Sequence, residues 1–464
     1  MCGIILEYGI KTDIKPLLDE MEHRGKDLVT VDEYSNCTVG YRRLAITDEY
    51  KDTGVYLNGE IYNYKELGYI GSETEVIRQG LEAEGLDFVK RLNGMFLIVA
   101  ILDAGIFVFR DRYGIKPCYV FKTDTVTIIS SEIKPILKHP YYKYELNESA
   151  VEQWLTFNNY LTNETLFEGV NRLDKGTIYN VAEDKSIKFW EWNFKPQHVD
   201  YKEAVKKVRE LVIQAIKRQT PLVEYGTCLS GGVDSNIILS VLGDVKTFTA
   251  GFPENNETEL AKLTSKQYHE VYFDKVEYLK ETVYHLEDLR VGASWSNYGL
   301  YKLAAEHIKV LFDGAGADEL FGGYTWRYTG DYYSQLNRTN KQSNYCESLY
   351  KGLAIESIED RFKFDAEIFL EGVLSVADRL SMAHTIEIRV PFLDNDLVDY
   401  CLTLPNEYKQ DKKILKDAFP ELPIEILTAK KQGFSSPDWF EGGGNKANKW
   451  ANTALNIWLD IYNA

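Results

Sequence analysis

The sequence lacks the features that mark membrane, secreted and nucleic-acid-binding proteins. It has no uninterrupted apolar span of transmembrane length and no signal peptide. Its six cysteines include no Cys-x-x-Cys pair, so the pattern predicts neither a zinc site nor a disulfide framework, and a reducing cytoplasm is the expected location. Lys and Arg number 53 against 71 Asp and Glu, and the net charge of -18 argues against DNA, RNA or an anionic membrane as a partner.

A glycine-rich loop is present instead, between an apolar run and the start of an apolar helix. Residues 230–235 read Ser-Gly-Gly-Val-Asp-Ser. Such a loop presents backbone N–H groups, hydroxyls and a helix N-terminus to an anion. No Gly-Lys-Ser/Thr follows, so this is not the usual P-loop, and Asp234 instead suits Mg2+ on a pyrophosphate. The motif resembles the pyrophosphate loop of ATP pyrophosphatases; an ordinary Gly-Gly turn capped by Ser and Asp is the alternative.

A cysteine at position two is the second informative feature. Removal of Met1 would make Cys2 the amino-terminal residue. Such a residue combines a nucleophilic thiol with an alpha-amine of pKa near ~8, which can relay the proton. The alternative is a small apolar residue that begins a buried strand.

Several further segments recur in known enzymes in the same order as here. They are residues 43–46, 57–63, 110–117, 314–324, 381–384, 387–394 and 430–435. The first three are similar to segments of glutamine amidotransferases with an amino-terminal cysteine. Taken over nearly its whole length, the chain resembles the glutamine-hydrolysing asparagine synthetases.

The length and composition predict a globular protein of two or three domains. Short alternating strands, such as 38–44, 96–102 and 125–130, fill residues 2–190, with helical patterns at 73–84 and 148–156. This mix predicts two packed sheets flanked by helices. The resemblance implies the four-layer αββα sandwich of amino-terminal-nucleophile hydrolases, with a glutaminase domain at residues 1–190.

From residue 201 the pattern changes to strands that alternate with helices, including a strand at 308–313. This rhythm predicts a parallel α/β sheet with helices on both faces, followed by a mostly helical part beyond residue 340. Loops 230–235 and 313–318 then lie at the carboxyl ends of strands, which is where such sheets bind ligands. The resemblance implies an ATP-pyrophosphatase synthetase domain at residues 200–464, after a linker at 191–198.

The resemblance also assigns roles in glutamine hydrolysis. Cys2 would attack the side-chain amide, and the Asn58 side chain and the Gly59 N–H would hold the oxyanion. The glutamine-binding residues would be Arg43, Asn58, Glu60 and Glu73. Glu73 is a departure, because the family usually has Asp there and the carboxylate is one methylene farther out. A surface salt bridge for Arg43 and a hairpin turn at 58–59 are the structural alternatives.

For the synthetase reaction the resemblance implies ATP and Mg2+ as cofactors. Asp234 and Asp318 would be the Mg2+ ligands, and Lys431 would neutralise the phosphates in the transition state. The full ATP-binding set would be Leu229, Ser230, Gly231, Gly232, Asp234, Ser235, Ala250 and Gly314.

Ala315 is the main departure in this half, because the family has a glutamate there that manages protons when ammonia attacks. A methyl group accepts no proton. Asp313 or Glu319 could compensate. The hypothesis favoured is Asp313, which could equally serve as a structural cap at the strand end.

The predicted function is asparagine synthesis from aspartate, ATP and glutamine through a beta-aspartyl-adenylate. Ammonia released at Cys2 would pass to the adenylate inside the protein. The partners would be these small molecules, and a homodimer is a family expectation. The alternatives are a related amidotransferase with another acceptor carboxylate, and a catalytically weakened regulatory homologue.

Overall fold

A computed structural model describes residues 2–47, 51–253, 257–292, 294–337, 339–429, 439–440 and 445–462. It divides into two compact units. Unit 1 comprises Met1–Ala150, Thr162–Glu191 and Met382–Thr385, and unit 2 comprises Val151–Leu161, Trp192–Ser381 and Ile386–Ala464. Within the described ranges, no helix combines the length and the apolar character needed to cross a bilayer.

Unit 1 is built on two antiparallel sheets. Its strands are β1 (Gly3–Tyr8), β2 (Leu28–Glu33), β3 (Cys37–Arg43), β4 (Val55–Ile61), β5 (Gly94–Leu102), β6 (Gly105–Arg110), β7 (Tyr119–Lys122), β8 (Thr127–Ser130), β9 (Val170–Arg172), β10 (Thr177–Asn180) and β11 (Lys185–Lys188). The first sheet has the order β2-β3-β1-β8-β7-β9, and the second has the order β11-β10-β6-β5-β4. Ile4 and Val39 of the first sheet share one buried cluster with Leu97 and Val108 of the second, so the sheets pack face to face.

Helices cover the outer faces of both sheets. They are α1 (Lys15–Asp19), α2 (Glu73–Glu84) and α3 (Lys134–Leu137). The next helix, α4 (Glu148–Phe157), lies mostly in unit 2. Helix α2 begins at a capping box in which Ser72 and Glu75 satisfy each other's backbone N–H groups, and its apolar stripe packs on the second sheet. Helices α1 and α3 contact the first sheet. The resulting order of layers confirms the predicted αββα sandwich.

Unit 2 contains the predicted parallel sheet. Its strands are β12 (Tyr225–Cys228), β13 (Lys246–Gly251), β14 (Gln267–Tyr272), β15 (Val310–Phe312) and β16 (Glu387–Arg389). Their order is β14-β13-β12-β15-β16, and every neighbouring pair is parallel. All three residues of β15 are buried, and since successive side chains point to opposite faces, both faces of the sheet are covered there.

The helices of unit 2 surround this sheet and form the region beyond residue 340. They are α5 (Tyr201–Arg218), α6 (Val233–Leu242), α7 (Glu257–Thr264), α8 (Leu279–Leu286), α9 (Trp295–Ala305), α10 (Ala317–Leu320), α11 (Tyr332–Leu336), α12 (Asn344–Gly352), α13 (Ile358–Phe364), α14 (Leu370–Met382), α15 (Asn395–Cys401), α16 (Asn406–Lys409), α17 (Lys413–Ala418), α18 (Ile424–Leu427) and α19 (Lys446–Tyr462). Loops 230–235 and 313–316 leave the carboxyl ends of β12 and β15, which are neighbours in the sheet. The two loops therefore meet at one edge, as the strand–helix rhythm predicted.

Two strands are shorter than the sequence pattern indicated. The strand expected at 125–130 begins at Thr127, because the N–H groups of Thr125 and Val126 bond instead to the hydroxyl of Thr123 in a tight turn. The strand expected at 308–313 begins at Val310, because the N–H of Ile308 still bonds to the carbonyl of Ala304 at the end of α9. Local hydrogen bonds thus replace strand pairing at the start of both strands.

Candidate active sites in the two units

The thiol of Cys2 lies in the buried core of unit 1, beside strand β4. The backbone N–H of Cys2 donates to Asn58 Oδ1 at 3.0 Å, and Asn58 Nδ2 donates to Ser131 Oγ at 3.2 Å. Cys2 and Asn58, 56 residues apart in sequence, are therefore in direct contact. Asn58 is completely buried, so its amide is held in one orientation by these two bonds.

A buried ion pair fixes the backbone of Cys2. Arg24 Nε donates to the Cys2 carbonyl at 3.0 Å, and the same guanidinium lies 3.0 Å from Glu132. Glu132 also faces Lys134 at 3.0 Å and His23 at 2.9 Å. This cluster positions the peptide that carries the thiol.

Tyr41, which no sequence motif indicated, is a neighbour of the Cys2 sulfur. Its hydroxyl lies 3.2 Å from Cys2 Sγ and 2.8 Å from the carbonyl oxygen of Leu57. The tyrosine is on β3, two residues before Arg43, and it is buried. A phenol placed there can donate to a thiolate or accept the proton of a thiol.

Gly59 has a backbone that only glycine can adopt without strain. Its φ is +135°, and a Cβ at this position would lie 1.9 Å from the carbonyl oxygen of Met95 on the neighbouring strand. The glycine is therefore required for β4 to pair closely with β5, which keeps the Asn58–Gly59 segment beside Cys2.

The remaining predicted glutamine-binding residues lie near the ends of β3 and β4. Glu60 is buried, and its carboxylate accepts a hydrogen bond from Thr47. Glu73 opens helix α2 and is also buried; its Oε1 accepts the backbone N–H of Ile61 at 2.6 Å. The longer side chain of Glu73 thus reaches back to the end of β4. Arg43 ends β3 and is partly exposed.

In unit 2 a cavity of about 790 Å³ opens at the carboxyl edge of the parallel sheet. Loop 230–235 and residues 313–315 line it, together with Asp318, Glu319 and Lys412. The predicted nucleotide-binding residues Leu229 and Gly314 line it as well, whereas Ala250 is buried in β13, outside the described lining. Lys431 lies outside the described residues.

The loop after β12 is held in shape by its own side chains. Ser235 Oγ accepts the Ser230 N–H at 3.1 Å, and Ser230 Oγ accepts the Gly232 N–H at 3.1 Å. Asn236 Nδ2 donates to the carbonyls of Ser230 and Gly232 at 3.0 and 2.8 Å. Asn236, which the sequence analysis left unassigned, therefore occupies two loop carbonyls that would otherwise repel phosphate.

The two predicted Mg2+ ligands converge on one cation. Lys412 Nζ lies 2.5 Å from Asp234 Oδ2 and 2.6 Å from Asp318 Oδ1. The carboxylates come from two different segments, and they meet where a positive charge already resides. Both Asp411 and Lys412 have φ of +57°, a strained conformation for side chains of this type.

The donor set at this point fits Mg2+ bound together with phosphates. Mg2+ in such sites takes one or two carboxylates and completes its coordination with phosphate oxygens and water. Among the described residues, no group of three or more His, Cys, Asp or Glu side chains is placed to hold a metal by itself. Asp234 and Asp318 would hold Mg2+ only with the nucleotide, and the ion would supply charge neutralisation on the phosphates.

Close approach at this cluster requires Gly323. A Cβ there would lie 1.9 Å from Asp318 Oδ1 and 2.5 Å from Lys412 Cε. Any larger residue would displace Asp318 or Lys412, so the glycine keeps the carboxylate and the ammonium in contact.

The residues proposed to replace the missing glutamate at Ala315 have separate surroundings. Asp313 Oδ1 accepts the N–H of Ala315 at 2.8 Å and so caps the turn after β15. Glu319 is buried, and Tyr324 donates its hydroxyl to Glu319 Oε1 at 2.7 Å. Burial, and then the charge of Asp318, raise the pKa of the Glu319 carboxyl above its usual range.

Comparison with known proteins gives matches that together span both units. A family model described as asparagine synthase matches residues 207–458, and one described as a glutamine amidotransferase domain matches residues 1–192. The chain is 27% identical to asparagine synthetase [glutamine-hydrolyzing] 1 of Bacillus subtilis, over 95% of this chain and 86% of that protein. It is also 27% identical to asparagine synthetase [glutamine-hydrolyzing] of Rattus norvegicus, over 97% and 86%. A third relative, asparagine synthetase [glutamine-hydrolyzing] 3 of Arabidopsis thaliana, is 26% identical over 98% and 82%.

Proposed function

The chain belongs to the asparagine synthase family, and from this premise we propose that it makes asparagine from aspartate, ATP and glutamine. The observation that carries the proposal is the convergence of Asp234 and Asp318 on Lys412 in the cavity of unit 2. A glutaminase alone needs no such site. Two carboxylates beside a glycine-rich loop are suited to a metal-bound triphosphate.

In unit 1, Cys2 is the nucleophile that attacks the side-chain amide of glutamine. Tyr41 lies within hydrogen-bond distance of the sulfur and can stabilise its thiolate. Asn58 and the Gly59 N–H hold the oxyanion of the tetrahedral intermediate, which requires the Asn58 amide to leave its present partners. Arg43, Glu60 and Glu73 provide the charges that hold the carboxylate and ammonium of glutamine.

In unit 2, the aspartate side chain attacks the alpha-phosphorus of ATP, which releases pyrophosphate and leaves beta-aspartyl-AMP. The loop 230–235 holds the phosphates, and Asp234 and Asp318 would hold Mg2+ on them. Lys412 provides a positive charge at the same point, in addition to the role expected of Lys431. Ammonia from glutamine then displaces AMP and forms asparagine, and it must be delivered sheltered from water, where it would be protonated.

Three further properties belong to this proposal. The first is the boundary between a glutaminase domain at residues 1–190 and a synthetase domain at 200–464. The second is a cytoplasmic location, which the six unpaired cysteines support. The third is a homodimer, which rests on the family resemblance and which light scattering of the purified protein would test.

An acceptor screen tests the proposed function. The purified protein is incubated with ATP, Mg2+ and glutamine plus one carboxylic amino acid at a time, and AMP, pyrophosphate, glutamate and amide product are measured. With aspartate we expect AMP, pyrophosphate and asparagine in equal amounts and at least as much glutamate. Pyrophosphate and amide formed with a different acceptor would show a related amidotransferase, and their absence with every acceptor would contradict synthesis altogether.

Variants of the two carboxylates separate the two half-reactions. We expect Asp234→Asn and Asp318→Asn to abolish pyrophosphate release and to leave basal glutamate release largely intact. Pyrophosphate formed at the parental rate by either variant would exclude that residue as a required metal ligand.

A further inference from the structure

The cavity of unit 2 contains a buried arginine that the family resemblance does not assign. We propose that Arg327 binds the alpha-carboxylate of the acceptor and so restricts the enzyme to acceptors with a second carboxylate. This proposal rests on the proposed function. An acceptor that has only the reacting carboxylate would leave Arg327 without a ligand.

Arg327 is fixed in place by one ion pair and two rings. One terminal nitrogen, Nη1, donates to Asp365 Oδ1 at 2.7 Å. The guanidinium carbon lies 3.8 Å from the ring centre of Phe369 and 4.5 Å from that of Tyr324. Only 1% of the residue is exposed to solvent, and it lines the cavity. The guanidinium is therefore preorganised, which reduces the ordering cost of binding a ligand.

The second terminal nitrogen of Arg327 is available for a ligand. Nη2 is buried and has no hydrogen-bond partner among the described residues. A buried donor without a partner is costly, so native structures usually satisfy it with protein, water or a ligand. A carboxylate that enters the cavity would form a strong, charge-assisted hydrogen bond with this guanidinium N–H.

The acidic side chains along the cavity favour a cation that is dedicated to the acceptor. Asp234, Asp313, Asp318 and Glu319 line it and would repel an acceptor that carries two carboxylates. Lys412 already faces Asp234 and Asp318, Lys416 lies 2.9 Å from Asp411, and Lys446, which also lines the cavity, is the first residue of α19.

Arg327 also remains charged in its buried position. Burial opposes its protonation, but the charge and hydrogen bond of Asp365 together with the interactions of Tyr324 and Tyr332 outweigh burial, so the pKa of the guanidinium is raised. A buried guanidinium that stays protonated can neutralise the acceptor carboxylate throughout the working pH range.

Tyr324 connects this position to the reacting end of the cavity. The guanidinium stacks on the Tyr324 ring, whose hydroxyl donates to Glu319, the neighbour of the proposed metal ligand Asp318. An acceptor held by Arg327 at one end would thus have its other carboxylate directed toward the phosphates. This arrangement suits a short dicarboxylic amino acid such as aspartate.

A purely structural Arg327–Asp365 pair is the competing explanation, and substrate comparison distinguishes the two. Aspartate is compared with its alpha-amide, which retains the reacting carboxylate but lacks the alpha-carboxylate. The readout is acceptor-dependent pyrophosphate release at saturating ATP. Arg327→Lys keeps the positive charge beside Asp365 but loses the planar fork, and Asp365→Asn breaks the pair while it keeps Arg327.

We expect Arg327→Lys to raise the KM for aspartate roughly 10- to 100-fold, as for the loss of a hydrogen bond to a charged group. The KM for the alpha-amide, the KM for ATP and the rate of glutamate release should stay near parental values. Asp365→Asn should retain the preference for aspartate. Because either single change could impair folding, the double variant Arg327→Gln/Asp365→Asn, which has no net buried charge, should also lose the preference.

Equal losses with aspartate and its alpha-amide, or a preference for aspartate that survives in Arg327→Lys and in the double variant, would overturn the inference. These outcomes differ from failure of the proposed function. In that case the parent protein itself would release no pyrophosphate with aspartate.

Discussion

The hydroxyl of Tyr41 lies 3.2 Å from the sulfur of Cys2, inside the buried core of unit 1. The same hydroxyl lies 2.8 Å from the carbonyl oxygen of Leu57. Because a phenol has one proton, the tyrosine can donate to Leu57 while the sulfur is a thiol and donate to the sulfur when it becomes a thiolate. Tyr41 can thus stabilise the charged nucleophile without acting as a base.

Removal of the hydroxyl in Tyr41→Phe should slow glutamate release from glutamine roughly 10- to 100-fold, because a hydrogen bond to a charged group contributes about 1.5–3 kcal/mol. Synthesis from added ammonium salt should be unchanged. Tyr56→Phe is the matched control: its ring packs edge-on at 5.7 Å from Tyr41, but its hydroxyl bonds to Asp32 and Tyr34. An equal loss in both variants would indicate a packing effect.

The replacement Cys2→Ala should abolish glutamine-dependent synthesis and spare synthesis from ammonium salt. Loss of the nucleophile should lower glutamate release on the order of 10³-fold or more. Cys37→Ala is the control, because Cys37 lies in the same core cluster and burial raises the pKa of its thiol to about 11, which keeps it protonated and unreactive. Glutamate release at the parental rate from Cys2→Ala would exclude Cys2 as the nucleophile.

In unit 2, Lys412→Met should lower the thermal midpoint in the absence of Mg2+. It leaves two buried carboxylates without their cation, and breaking a buried pair typically costs about 3–5 kcal/mol. Mg2+ with ATP should raise the midpoint of this variant more than that of the parent, because the metal can replace the lost charge. Lys416→Met, which removes a partly exposed pair with Asp411, should behave like the parent. Equal Mg2+ shifts in all three proteins would refute the idea that Lys412 and metal share one position.

The sequence predicted features that depend on neighbouring residues, and it missed those that depend on distant ones. Helix α2 was expected at 73–84 and occurs there, because the Ser72 capping box and Gly85 mark its two ends locally. The meeting of loops 230–235 and 313–316 followed from the rules of parallel sheets. Lys412 could not be found in this way, since it contacts Asp234 across 178 residues and lies in no motif.

Lys409 allows a prediction for the pH dependence of stability. It is fully buried, with its ammonium 5.0 and 5.4 Å from the ring centres of Phe194 and Phe362. Burial lowers its pKa to about 8, whereas an unfolded lysine titrates near ~10.4. Between these values the unfolded state binds more protons, so stability should rise with pH.

At pH 7 the full penalty for the buried charge of Lys409 is present, on the order of 3 kcal/mol. Lys409→Met should therefore be more stable than the parent at pH 7, and this advantage should shrink as the pH rises from 8 to 10. Thermal midpoints of both proteins across this range test the prediction. A difference that does not change with pH would mean that Lys409 keeps its proton throughout.

The last prediction concerns the proton that must leave ammonia when it attacks the adenylate, given that Ala315 cannot accept it. Asp313 is two residues away and lines the same cavity, but its Oδ1 also caps the turn by accepting the Ala315 N–H. The charge of Asp313 also acts on Cys228. Burial, and then the charge of Asp313, raise the pKa of the Cys228 thiol well above its usual range. The cap and the charge can be separated by Asp313→Asn, which keeps the accepting oxygen and removes only the charge.

If Asp313 compensates for the missing glutamate, Asp313→Asn should release pyrophosphate normally but form asparagine roughly 100-fold more slowly or worse, which is the lower end of the usual contribution of a general base. Asp313→Ser should show the same loss, and a second change, Ala315→Glu, should restore part of it. Glu319→Gln is measured in parallel, since Glu319 is the second candidate for this role and lines the same cavity. If asparagine formation is normal in Asp313→Asn and selectively slow in Glu319→Gln, Glu319 is the residue that accepts the proton, and Asp313 serves only as a cap.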